Sequence, residues 1–156
     1  MADVFISYKR EDRDRIAPLA KAIEACGYTV WWDLDLIAGQ RWDKMIKVEL
    51  DSAGCVVVAW TQNSIAADRT YVSTWVGNEA DEAEKREILI PALLDAGRIA
   101  WSHSKLQYAD LTDWRGEPSS KGFLHLITGI ERLAGPRSLP WVLKQKNSAQ
   151  QPLKTR

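Results

Sequence analysis

A doubly wound α/β fold is predicted for this chain: a flavodoxin-like, five-stranded parallel sheet in the order 2-1-3-4-5, with helices on both faces. Three observations predict it. Short, continuous apolar runs alternate along the chain with stretches of helical period. The run from Cys55 to Trp60 is apolar throughout and carries three successive valines, a pattern suited to a strand covered on both faces. The length, 156 residues, supplies one core but not two ordinary ones.

The elements follow in order. Residues 3–8 form a first strand around Val4, Phe5 and Ile6, stopped by the charged cluster Lys9, Arg10, Glu11 and Asp12. Residues 12–26 repeat apolar side chains at Ile16, Leu19, Ala20 and Ile23 and meet Gly27, so a helix ends there. Pro18 is awkward inside it, and implies either a late start near Asp14 or a bend. Residues 28–32 make the second strand, 33–39 a loop, and Met45, Ile46, Val48 and Leu50 mark a helix over 42–53. After the third strand at 55–60, a polar connection leads to a helix over 71–86. Residues 88–94 form a fourth strand in which Pro91 suggests an end or an irregularity. Residues 106–111 give a short fifth strand, and Phe123, Leu126, Ile127, Ile130 and Leu133 a last helix ending near Gly135. Residues 1–135 therefore read as one domain, and 136–156 as a C-terminal linker or tail.

Composition narrows the function. Lys plus Arg balance Asp plus Glu at 21 each, so no overall field attracts polyanions and no nucleic-acid partner is expected. No apolar segment suits a signal peptide or a membrane span, and Cys26 and Cys55 sit in apolar stretches without ligand spacing. A cytoplasmic protein with reduced thiols, no membrane partner and no metal is expected. Phosphoacceptor chemistry would need an aspartate at the end of strand three, where Trp60 and Thr61 stand. Gly-rich dinucleotide and phosphate loops are absent, as is a G-x-S-x-G elbow, and His103 and His125 have no nucleophile motif beside them.

In a 2-1-3-4-5 sheet the winding reverses between strands one and three, and a ligand site lies at their carboxyl ends. That points to Tyr8, Lys9 and Arg10, to the loop 33–39, and to the segment after strand three. The helix over 71–86 carries the anomaly. Val72, Trp75, Val76, Ala80 and Ala83 define an apolar stripe, and Glu79 falls inside it. Either Glu79 is a border residue whose head reaches solvent or a cation, or it is a carboxylate held in an aromatic-walled cleft. Asp81, Glu82 and Glu84 fall mostly off the stripe and read as solvated charges.

Four segments in register along this pattern, Asp3-Val4-Phe5-Ile6-Ser7-Tyr8, Gly27-Tyr28-Thr29-Val30-Trp31-Trp32-Asp33, the Gly39 loop with Trp42, and Ser73-Thr74-Trp75-Val76-Gly77-Asn78-Glu79, resemble a bacterial Toll/interleukin-receptor (TIR) domain. The departures are Val76, where many relatives carry Cys, a long connection over 64–71, and Gly77, which loosens a helix by about 1 kcal/mol relative to Ala.

The resemblance implies one of two roles. The first is an NAD+ glycohydrolase (NAD+ nucleosidase) that cleaves the nicotinamide–ribose bond, with or without cyclisation to a cyclic ADP-ribose isomer, in bacterial immune (antiviral defence) or host-interference signalling. The second is a non-catalytic module that self-associates or binds other TIR domains. Glu79 favours the enzyme, because the catalytic branch needs that glutamate. On this reading Glu79 is catalytic, NAD+ is a substrate rather than a cofactor, and Tyr8, Lys9, Arg10, Asp33, Leu36, Gly39, Trp42 and Trp75 bind substrate. Enzymatic relatives often complete their sites by assembly, which implies a homo-oligomer or filament built through TIR–TIR contacts.

Overall fold

The computed structural model describes residues 2–32 and 38–137. Five parallel strands form one sheet in the order β2-β1-β3-β4-β5, as expected. They are β1 (Val4–Ser7), β2 (Val30–Trp31), β3 (Cys55–Trp60), β4 (Leu89–Leu93) and β5 (Ala109–Asp110). The helices are α1 (Arg13–Ala25), α2 (Trp42–Ser52), α3 (Thr74–Lys85) and α4 (Lys121–Ala134).

The period of two along each strand sorts the core into two layers. Val4, Ile6, Val57 and Ala59 pack with Leu19 and Ile23 of α1 and Phe123 and Ile130 of α4. Phe5, Val56, Val58 and Trp60 pack with Leu50 of α2 and Val76, Ala80 and Ala83 of α3. β3 lies at the centre, pairing with β1 from Val4↔Cys55 to Ser7↔Val58 and with β4 from Val56↔Leu89 to Trp60↔Leu93. All six of its residues are buried, which is why its continuous apolar run needs no alternation.

Both proline expectations resolve physically. α1 starts at Arg13 after a 3-10 turn over Arg10–Asp12, and Pro18 sits exposed in its second turn, where the carbonyl of Asp14 loses its intrahelical donor. Pro91 is neither at the end of β4 nor in an irregular stretch, which corrects the expectation. Ile88 O accepts from Val56 N and Leu94 N donates to Trp60 O, so even-numbered residues of β4 face β3, whereas Leu93 O faces β5 and accepts from Leu111 N. Pro91 therefore turns its missing donor toward β5, which joins β4 only at Ala92 and Leu93.

The fifth strand is shorter than expected, two residues of 106–111, because α4 crosses immediately beside it. A Cβ on Gly122 would stand 1.9 Å from the carbonyl oxygen of Asp110. α4 ends at Gly135, whose φ of 92° is open to glycine. From residue 138 on, the expected tail lies outside the described residues, as do Asp33 and Leu36 of the expected loop.

Candidate active site

α3 begins where Ser73 accepts a hydrogen bond from Val76 N, a side-chain N-cap. That start leaves Val72 outside the helix and 53% exposed, so it does not belong to the apolar stripe predicted for it. Val76, Ala80 and Ala83 do, and Glu79 lies among them at 6% exposure. Among the described residues no cation stands beside its carboxylate. Ser7, the last residue of β1, donates its hydroxyl proton to Oε1 at 2.6 Å, and the Trp75 side chain one turn earlier on α3 favours the charged form of the carboxyl. The carboxyl group is thus held at the carboxyl end of β1, beside β3, where the winding of the sheet reverses.

Burial pushes the Glu79 pKa from 4.5 up to about 7, with the Ser7 hydrogen bond and the neighbouring Trp75 side chain pulling the other way. A carboxylate that titrates near neutrality without a countercharge is suited to meet a positive charge brought or developed by a ligand. Trp75 is 39% exposed, so its body is not core. It meets Trp42, the first residue of α2, edge to face with ring centroids 4.8 Å apart. Two partly exposed tryptophans therefore form an aromatic pair one turn before Glu79 on α3.

The remaining predicted residues are placed as follows. Tyr8 packs on the α1/α4 side of the sheet, its ring 6.2 Å from that of Trp32. Lys9 pairs with Glu11 at 3.5 Å, and Arg10 is exposed at the start of the 3-10 turn. Neither cation contributes to the electrostatics of Glu79. Gly39 is exposed with a φ of 91° and open space around it. Asp33 and Leu36 fall outside the described residues. A cavity of about 570 Å³ lies beside β5 and the start of α4, lined by Tyr108, Trp114, Lys121 and His125 among others, and Glu79 does not border it.

Three polar groupings were missed by the sequence reading. Ser7 was quoted in a motif but given no role; its alternation with Phe5, on the face that meets α3, is a signal that could have found it. Asp12, 1% exposed, accepts from the Thr61 hydroxyl at 2.5 Å and from the Asn63 amide at 2.7 Å, tying the turn after β1 to the loop after β3. Beside it Arg15 donates to both oxygens of Asp95 at 2.9 and 3.0 Å, which holds the Asp95 carboxyl below the usual range. The third is a buried chain in which Trp60 Nε1 donates to the Tyr71 hydroxyl at 3.1 Å, and that hydroxyl meets His103 Nδ1 at 2.9 Å.

Gly77 belongs to the same story. Rather than simply loosening α3, it makes room for Tyr71, whose Cβ and ring would lie 3.3 Å from an added Cβ. The long connection over 64–71 is likewise pinned, by an antiparallel bridge between Ile65 and Tyr71. Tyr71→Phe is expected to destabilise the fold by about 2 kcal/mol, since the Trp60 indole and the imidazole each lose a buried partner. Urea unfolding measures this, and a loss within experimental error would show that the chain of hydrogen bonds carries no stability.

A parallel 2-1-3-4-5 sheet with helices on both faces defines a flavodoxin-like α/β protein, a class in which ligands bind at the carboxyl ends of the strands, where the buried acid lies. A family model described as TIR domain matches residues 4–127, and the chain belongs to the TIR domain family. It is similar to the TIR domain of the Toll-related receptor TRR-2 from Hydra magnipapillata, at 17% identity and a TM-score of 0.66 over 84% of this chain and 99% of that one. It also matches the TIR domains of the activated Roq1 resistosome, which directly recognises the pathogen effector XopQ, at 22% identity and a TM-score of 0.48 over 99% and 98% of the two chains. No curated protein matches the chain significantly. Among the described residues no helix is long and apolar enough to cross a membrane.

Proposed function

We propose that the chain hydrolyses NAD+ at the nicotinamide–ribose bond, with Glu79 as the catalytic carboxylate. The observation that supports this reading is the carboxylate itself, buried at the switch point of the sheet and held by Ser7, with no cation beside it among the described residues. Cleavage of this bond passes through an oxocarbenium-like state. The leaving group is already a pyridinium and departs as neutral nicotinamide, so no general acid is required. A single carboxylate suffices, placed to stabilise the positive charge that develops at the anomeric carbon.

The raised pKa fits the task. A cationic nicotinamide ring beside Glu79 favours the ionised form, so substrate capture and deprotonation reinforce each other. Water then takes the anomeric carbon and gives ADP-ribose and a proton; an internal nucleophile of the same substrate in place of water gives a cyclic isomer. Trp75 and Trp42 offer the aromatic surface against which the nicotinamide or ribose packs. A second copy of the chain, in a homo-oligomer or filament, completes the cleft.

The test is chromatographic. Concentrated wild-type protein incubated with NAD+ is expected to release nicotinamide, and Glu79→Gln to release none. Undiminished release by the variant removes Glu79 from the mechanism. An oligomeric wild type that leaves NAD+ intact supports instead the module that binds other TIR domains.

A further inference from the structure

Glu79 has two carboxylate oxygens, and the structure treats them differently. Oε1 accepts the Ser7 hydroxyl proton at 2.6 Å in a buried hydrogen bond. Among the described residues Oε2 makes no hydrogen bond. Nor is Oε2 sealed in the core, because the one buried side-chain oxygen or nitrogen without a partner among those residues is His103 Nε2. Oε2 therefore keeps a path to solvent, in agreement with the 6% exposure that Glu79 retains.

We propose that Ser7 is a positioning residue: by fastening Oε1 it turns Oε2 toward the cleft, as the oxygen that meets the ribose and the charge developing at its anomeric carbon. This role rests on the reading of Glu79 as the catalytic carboxylate. Ser7 is well placed for it. It is the buried last residue of β1, paired with Val58 of β3, so its backbone is fixed by the inner part of the sheet. Along the strand it alternates back to the face of Phe5, which packs with α3. A serine hydroxyl has one carbon–carbon torsion to set, whereas glutamate has three. The apolar neighbours Val76, Ala80 and Ala83 exclude water from Glu79 but offer its head no donor. The tether from β1 supplies the fixed geometry that electrostatic stabilisation of a transition state needs.

The same bond favours the carboxylate over the acid and so opposes the effect of burial on Glu79. No charge competes with it. β3 and β4 carry no charged residue. Neither Lys9 and Arg10 after β1, nor Asp43 and Lys44 of α2, nor Asp81 and Glu82 of α3 contributes to the electrostatics of Glu79. Loss of the hydroxyl therefore moves the titration of Glu79 upward, which a general packing defect does not do.

Nicotinamide release by Ser7→Ala and Ser7→Thr, followed across the titration of Glu79, tests the proposal. Ser7→Ala is expected to lower kcat at pH 7 about tenfold, with KM changed less. Its pH–rate inflection should move up by about one pH unit. Ser7→Thr restores the hydroxyl and should return the inflection to its wild-type position. Ser7→Cys keeps the volume but donates weakly, and should follow Ser7→Ala even if alanine impairs folding. A second readout needs no turnover. The fall of stability with rising pH levels off where folded Glu79 has lost its proton, and that point should move up in Ser7→Ala, whereas the Glu79→Gln background should show no such fall to move. An active wild type whose Ser7→Ala variant keeps both inflections overturns the positioning role and leaves Glu79 catalytic. So does a loss of rate that is equal at every pH and that threonine does not restore. A wild type that releases no nicotinamide overturns the catalytic reading, and with it the role of Ser7, even where the stability curve still moves.

Discussion

Glu79→Gln is expected to abolish nicotinamide release and, above pH 7, to raise the stability of the fold. The two effects share one cause. Burial lifts the Glu79 pKa from 4.5 to about 7, so the folded state holds a proton through an interval in which the unfolded chain has released it. A raised carboxyl pKa favours the folded state fully below about pH 4.5, and this contribution disappears as pH rises through about 7. Integrated over that interval the charge costs about 3 kcal/mol at pH 8, an upper figure because hydrogen bonds to glutamine differ from those to the carboxylate. Glutamine carries no charge to desolvate. Denaturation of both proteins at pH 5 and pH 8 should show the variant gaining at pH 8 relative to its position at pH 5. Equal differences at both values would mean that the carboxylate is not desolvated.

The activity side of the same prediction follows from electrostatics. Removing one preorganised group that stabilises developing charge costs about 10² to 10³ in rate or more, which takes nicotinamide release by the Glu79 variant below detection. The wild-type rate is expected to rise with pH through the titration of Glu79. In the substrate complex the inflection should shift below that of the free enzyme, since the pyridinium favours the carboxylate. A stability gain without a loss of activity would separate the buried charge from the chemistry.

Where local periodicity and burial agree, the sequence states the structure nearly residue by residue. Cys55–Trp60 is apolar because both its faces are covered, and α2 and α4 show their stripes because each packs on one side only. Glu79 was visible as an exception to such a stripe. The misses arise where a residue answers to a partner distant in the chain. Asp81 and Glu84 look like solvated charges on a helical wheel and are indeed exposed, yet both flank a histidine on another element. Val72 fits the helical period but lies ahead of the helix, because a serine cap fixes the start one residue later. Pro91 reads as a strand breaker, since nothing in its neighbourhood says that the adjoining strand begins only beyond it. Tyr8 follows β1 and was expected at the site; it packs instead with the face of Val4 and Ile6, opposite to that of Phe5 and Ser7.

Gly122 separates local propensity from tertiary packing most sharply. It lies in the first turn of α4, and helix propensity alone says that alanine should stabilise there by up to about 1 kcal/mol. The structure gives the opposite sign. A Cβ at this position would stand 1.9 Å from the Asp110 carbonyl oxygen and 3.0 Å from its carbon, and both are backbone atoms of β5 that no rotamer change can move aside. α4 would have to lift from the sheet edge, loosening Phe123 and Leu126, both fully buried. Overpacking of this kind costs up to about 3 kcal/mol or more, so Gly122→Ala is expected to destabilise by about 2 kcal/mol net and to lower the melting temperature by about 5 to 10 °C. Gly129→Ala on the same helix supplies the contrast. There the nearest atom is the Cδ1 end of Ile90 at 3.3 Å, a side chain that can turn, so the change is expected to stay within about 1 kcal/mol of neutral. Parallel thermal denaturation of the two variants decides the matter. If both alanines behave alike, the close approach of α4 to β5 does not hold the helix in place, and the shortness of β5 needs another cause.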